Sequence, residues 1–142
     1  MILLLVILLS IFSVSLQSEI NKSELNLPEF MVSLKPTPEL VKDCALHYNI
    51  QHVDIVVAQS ILETGHYTSK HCVNNNNLFG LYDSKNKRYY KFDTWQESVI
   101  AYKNKVQYKY KGGCYYKFLD TLGYASDPNY LDKVKIITEK YL

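Results

Sequence analysis

Val53-Asp54-Ile55-Val56-Val57-Ala58-Gln59-Ser60-Ile61-Leu62-Glu63-Thr64-Gly65 reads as a helix with too many apolar positions for a surface element. Apolar residues at 53, 55, 56, 58, 61 and 62 leave no wide polar face, which predicts burial on most sides. Gly65 is a natural C-terminal stop. Glu63 thus falls at the end of the most buried helix, where two effects oppose ionisation. Apolar surroundings desolvate the anion, and the negative end of the helix dipole repels it. Both favour the protonated form near neutral pH, the state that a general acid must hold. The other reading of the same pattern is a partly exposed glutamate reaching water at a helix end.

On the N-terminal side, Thr37-Pro38-Glu39 has the form of an N-cap followed by proline at the first helical position. Leu40, Val41, Cys44, Ala45 and Tyr48 follow at helical spacing. On the C-terminal side, Leu78–Tyr82 and Arg88–Phe92 flank a polar tip, Asp83 to Lys87, and predict a β-hairpin. Thr94-x-x-Glu97 has capping-box form and opens a helix expected to run through Tyr110, until Gly112-Gly113 break it. A short helix over 115–122 ends at Gly123. Asp127-Pro128 then caps a terminal helix with Leu131, Val134, Ile137 and Tyr141 on one face. Asn74 to Asn77 reads as a loop. The expected class is α+β, mostly α, with one short hairpin.

Residues 1–18 carry no charge, and Ile2 to Leu9 is an unbroken apolar run. It is short for a span that needs about 20 apolar residues. Small residues at Ser13, Ser15 and Ser18 supply a cleavage site, so the segment reads as a secretory signal peptide (an uncleaved anchor being the alternative). The organisation expected is a signal peptide over 1–18, a polar linker over 19–36 and one catalytic domain over 37–142. The product is secreted, or held in the periplasm or cell envelope, with no stable membrane insertion once the signal is removed. A net charge of +2 demands no polyanionic partner, which argues against nucleic acid despite the Lys/Tyr tract 105–117. Cys44, Cys72 and Cys114 are an odd set whose pairing the spacing does not choose. His66 and His71 lack further ligands at metal-site spacing, so no metal and no cofactor is expected.

Four segments, taken together, carry more than any one of them. They are Ala58-Gln59-Ser60-x-Leu62-Glu63-Thr64-Gly65, Asn76-Asn77-Leu78-Phe79-Gly80-Leu81, Phe92-Asp93-Thr94-Trp95-x-x-Ser98 and Leu122-Gly123-Tyr124-Ala125-Ser126-Asp127-Pro128-x-Tyr130. In this order the chain resembles the bacterial N-acetylglucosaminidase domain of peptidoglycan hydrolases, the flagellar-muramidase-like group of the lysozyme-like superfamily, over about residues 38–142. The resemblance implies a lysozyme-like helical fold and cleavage of β-1,4 bonds in the glycan strands of peptidoglycan. It matches Glu63 to the general acid, Asn77 to Gly80 to one side of the cleft, and Tyr124 to an aromatic residue beside the catalytic centre.

Gln59 is expected to bind substrate, Asn77 to hydrogen-bond sugar amides or hydroxyls, and Phe79, Tyr82 and Tyr124 to stack on pyranose faces; core packing is the alternative for the aromatics, Phe79 above all. Ordinary glycosidases use two acids, about 5–5.5 Å apart for retention or about 6.5–9.5 Å for inversion. The only acid in the short lobe 81–92 is Asp83. Either Asp83 is the base, or the substrate's 2-acetamido group assists, with Tyr124 positioning it. The second course is favoured. A lytic transglycosylase or muramidase on the same polymer, and a wall-binding module without catalysis, are the rival readings.

Overall fold

A computed structural model of the chain describes residues 34–141, so the signal-peptide reading and most of the linker lie outside the described residues. From Lys35 onward the chain forms a unit of its own. Helix α1 (Pro38–His47) starts as expected: Thr37 Oγ1 accepts the Leu40 N–H at 3.3 Å and proline occupies the first turn. Helix α2 (Val53–Thr64) buries Val56, Val57, Ala58, Gln59, Ser60, Ile61 and Thr64. Gly65 closes it in the left-handed region at φ 55°, and the His66 N–H returns to the Ile61 carbonyl at 3.0 Å. The helix packs chiefly on α6 (Tyr130–Tyr141) and α1. Each fully buried Val or Ile contributes about 1.5–3 kcal/mol to holding it there.

Helix α3 (Lys70–Asn75) occupies part of the tract read as a loop, with Ser69 Oγ accepting the Cys72 N–H at 3.1 Å. The hairpin is shorter than predicted. Only Tyr82–Asp83 (β1) and Arg88–Tyr89 (β2) pair, antiparallel, with Tyr82 opposite Tyr89 and Asp83 opposite Arg88. Leu78 to Leu81 form no strand, because Asn77 folds the chain back on itself there through bonds to Leu81.

Helix α4 (Trp95–Lys105) stops five residues earlier than expected. Gln107 turns inward to bond the backbone of Gln51, and a single 3₁₀ turn, Gln107–Lys109, replaces the last helical turn. The capping box is not made: Glu97 Oε2 accepts the N–H of Asp93, one residue ahead of the cap, at 3.2 Å, and the Thr94 side chain does not cap. Helix α5 (Tyr115–Leu122) ends at Gly123, φ 63°. Before α6, Asp127 Oδ1 accepts the Asn129 N–H at 2.9 Å and the Asp127 carbonyl accepts that of Tyr130 at 3.0 Å, the two bonds of an N-cap with proline next in the chain, so Asp127-Pro128 open the terminal helix as expected. The three cysteines are free, Cys44 and Cys72 buried and Cys114 exposed. No helix among the described residues is long and apolar enough to cross a membrane.

Candidate active site

Helix α2 delivers Glu63 to a cleft because the helix ends there, at the left-handed Gly65. The carboxyl lies against the bare Cα of Gly80: a Cβ on that residue would meet Glu63 Oε2 at 3.1 Å. Gly80 also has φ +60°, a backbone conformation that favours glycine, and any side chain there would press on the carboxyl. The cleft, about 390 Å³, is walled by Phe79, Gly80 and Leu81 on one side and by Tyr124, Ala125 and Ser126 on another. The hairpin pair Tyr82 and Tyr89 completes the wall, their rings edge to face at 5.1 Å and 75°. These two rings are 48% and 51% exposed, which leaves aromatic surface free for a ligand.

Burial raises the pKa of Glu63 above the ordinary carboxyl value, and the hydrogen bond from Tyr130 offsets part of that rise. Tyr130 is raised in turn, first by its own burial and then by the Glu63 charge. Among the described residues lining the cleft, Glu63 is the sole carboxylate. A larger groove of about 540 Å³ lies elsewhere, but its one acid, Asp54, is spent on Lys42 at 2.9 Å.

The raised pKa fixes a sign for stability. A group that binds its proton more tightly in the folded chain contributes stability that is complete below the unfolded value and lost as pH rises through the folded one. Glu63→Gln imitates the protonated acid, so its melting temperature should match wild type in acid and exceed it at neutral pH. Thermal denaturation across a pH series measures this; a variant less stable than wild type at neutral pH would contradict it.

The remaining predicted residues fall in different places. Tyr82 and Phe79 do line the cleft, although Phe79 is almost wholly buried and packs on Tyr102 at 4.5 Å. Tyr124 lines it too, and its hydroxyl donates to the Phe79 carbonyl at 2.9 Å. Gln59 does not reach the cleft: it is fully buried, its Nε2 donating to Tyr130 Oη at 3.2 Å and its Oε1 accepting from Tyr102 at 2.7 Å. Asn77 is likewise turned inward, onto Leu81 and Tyr90. Asp83 is a turn carboxylate: it accepts from the backbone N–H groups of Lys85 and Asn86 and from Asn86 Nδ2 at 2.6 Å. Those bonds hold its carboxyl below the usual range, and it is not among the residues lining the cleft. His66 bonds Tyr141 and His71 bonds Asn75.

Sequence reasoning missed Tyr89 and Tyr130. Tyr89 was signalled by the hairpin itself, since counting Asp83 into the first strand sets Tyr82 opposite it. Tyr130 lay within a quoted motif, but nothing local says that its hydroxyl meets Glu63. A comparison with family models matches residues 38–142 to the glucosaminidase family, described as mannosyl-glycoprotein endo-β-N-acetylglucosaminidase. No curated protein and no solved structure gives a match.

Proposed function

This chain belongs to the glucosaminidase family of glycoside hydrolases, and from that premise we propose that it is an exported peptidoglycan hydrolase in which Glu63 is the general acid. Peptidoglycan is the substrate, and the bond is a β-1,4 link following N-acetylglucosamine. The observation that carries the mechanistic reading is a single desolvated carboxyl at the floor of an aromatic-walled cleft. Glu63 gives its proton to the leaving glycosidic oxygen as the bond from C1 breaks. With no second carboxylate among the described residues lining the cleft, the 2-acetamido carbonyl oxygen of the cleaved sugar closes on C1. A water then opens that ring, and Glu63, now a carboxylate, takes its proton. The Tyr124 hydroxyl donates its hydrogen bond to the Phe79 carbonyl and so keeps lone pairs for the acetamido N–H, which strengthens the carbonyl as a nucleophile. The uncharged run at residues 1–18 supports export to the cell envelope.

The test is digestion of purified cell wall with mass analysis of the products. Reducing N-acetylglucosamine ends are expected. Anhydro ends would instead assign a lytic transglycosylase, and binding without cleavage a wall-binding module. In the same assay Tyr82→Ala and Tyr89→Ala should each raise KM by roughly tenfold with kcat little changed, since each removes one stacking surface. A KM unchanged in both would take the hairpin out of substrate binding.

A further inference from the structure

Glu63 is the terminus of a buried hydrogen-bond chain that crosses five elements of the fold. Gln107, on the 3₁₀ turn, is clamped to the backbone of Gln51: Oε1 accepts the Gln51 N–H at 2.9 Å and Nε2 donates to the Gln51 carbonyl at 2.8 Å. A backbone N–H and C=O cannot exchange roles, so the amide of Gln107 has one orientation. Its Nε2 also donates to Tyr115 Oη at 3.2 Å. Tyr115 and Tyr102 are joined at 2.9 Å, and Tyr102 spends its one proton on Gln59 Oε1. The proton between the two hydroxyls therefore belongs to Tyr115. Gln59 Nε2 donates to Tyr130, whose own proton goes to Glu63. Every donor points towards the carboxyl. Turning the Gln59 amide around would leave one buried hydroxyl proton facing only donors, an unsatisfied group that a core does not tolerate cheaply.

We infer that Gln107, Tyr115 and Tyr102, none of which lines the cleft, are positioning residues for Glu63, acting through Gln59 and Tyr130. They fix the direction of the chain, and that direction reserves the Tyr130 proton for the carboxyl. All five are at most 6% exposed, with Tyr102 and Gln59 at 0%, so water does not substitute for a missing link. Hydrogen bonds in series also polarise one another, which passes a change at the far end towards Glu63.

The groups facing the carboxyl are few. Tyr130 meets it from α6 and Tyr124 from the segment after α5, while Tyr82 and Tyr89 share its cleft. No Lys, Arg or His is among the described residues lining that cleft. At the distal end the His52 ring stacks on Tyr115 at 4.7 Å and 26°, a contact that phenylalanine preserves.

This inference rests on Glu63 being the acid only for its activity readout; the carboxyl's titration reads it independently. The experiment compares the full chain with Tyr102→Phe, Tyr115→Phe, Tyr130→Phe and the Tyr102→Phe/Tyr130→Phe pair. For each, carbon-13 NMR follows the Glu63 side-chain carboxyl against pH, alongside the pH profile of wall cleavage. Tyr130→Phe should move the titration midpoint to higher pH, because the anion loses its donor. Tyr102→Phe should move it the same way by less, with the plateau rate about tenfold lower from lost positioning. The double variant should titrate like Tyr130→Phe alone. Tyr115→Phe, one link further out, gives the same reading should Tyr102→Phe fold poorly. A wild-type midpoint and pH profile in both distal variants, with only melting temperature reduced, would overturn the inference. Shifted midpoints in a protein that cleaves nothing would uphold it and defeat the hydrolase reading alone.

Discussion

Glu63→Gln lowers wall cleavage by about 10²–10⁴-fold, the range attached to one well-placed general acid or base. Glutamine keeps the length of the side chain and can still accept the hydrogen bond from Tyr130, so the cleft stays built. What it lacks is a proton to give to the leaving oxygen. The pH dependence separates this from a merely disturbed site. In wild type the rate falls as pH rises through the Glu63 pKa, which burial holds above the ordinary carboxyl value. In the variant that limb disappears, leaving a low rate that is flat over the same interval. Reducing ends released from purified wall provide the measurement. Wild-type rates from the variant would strip Glu63 of its role, whatever the products.

The position of Glu63 was legible because it depends on one helix and one stop. Apolar spacing set the burial of α2, and Gly65 set where it ended. The directions of its polar neighbours were not legible in the same way. On a helix buried on most sides, a polar residue near the acid faces either the cleft or another part of the core. Gln59 faces the core, and only the placement of Tyr102 and Tyr130 from distant segments shows it. The inward turn of Gln107 is similar: it sits in a tract of lysines and tyrosines that suggests a surface, and its partner is the backbone of Gln51. Asp83 was a local matter. Its bonds to residues two and three positions on follow the habit of aspartate at the head of a turn, and that habit outweighed the expectation drawn from two-acid glycosidases. The end of α4 was set by Gln107 bonding the backbone of Gln51, a tertiary contact against which a local pattern carries little weight.

Asn77→Ala should destabilise the domain by about 2–5 kcal/mol, a fall of very roughly 10–20 °C in melting temperature for a domain of this size. The reason lies in three hydrogen bonds at a site only 2% exposed. Asn77 Oδ1 accepts the Leu81 N–H at 3.0 Å, while Nδ2 donates to the Leu81 carbonyl at 2.9 Å and the Tyr90 carbonyl at 3.1 Å. The Leu81 carbonyl keeps a second donor, the Tyr90 N–H at 3.0 Å. The Leu81 N–H and the Tyr90 carbonyl lose the partner that Asn77 gave them. Two groups stranded beside the core cost about 1–3 kcal/mol each, and alanine adds a small void. The same clasp shapes one wall of the cleft, because the segment it closes contains the Phe79 carbonyl that Tyr124 grips and the Gly80 that lies against Glu63. A brace and a sugar contact therefore predict different things. A brace lowers the melting temperature in the absence of any glycan and loosens Glu63 with it, so kcat falls. A sugar contact raises KM and leaves the melting curve where it was. Calorimetry of the glycan-free protein decides between them, and an unchanged transition would return Asn77 to the substrate.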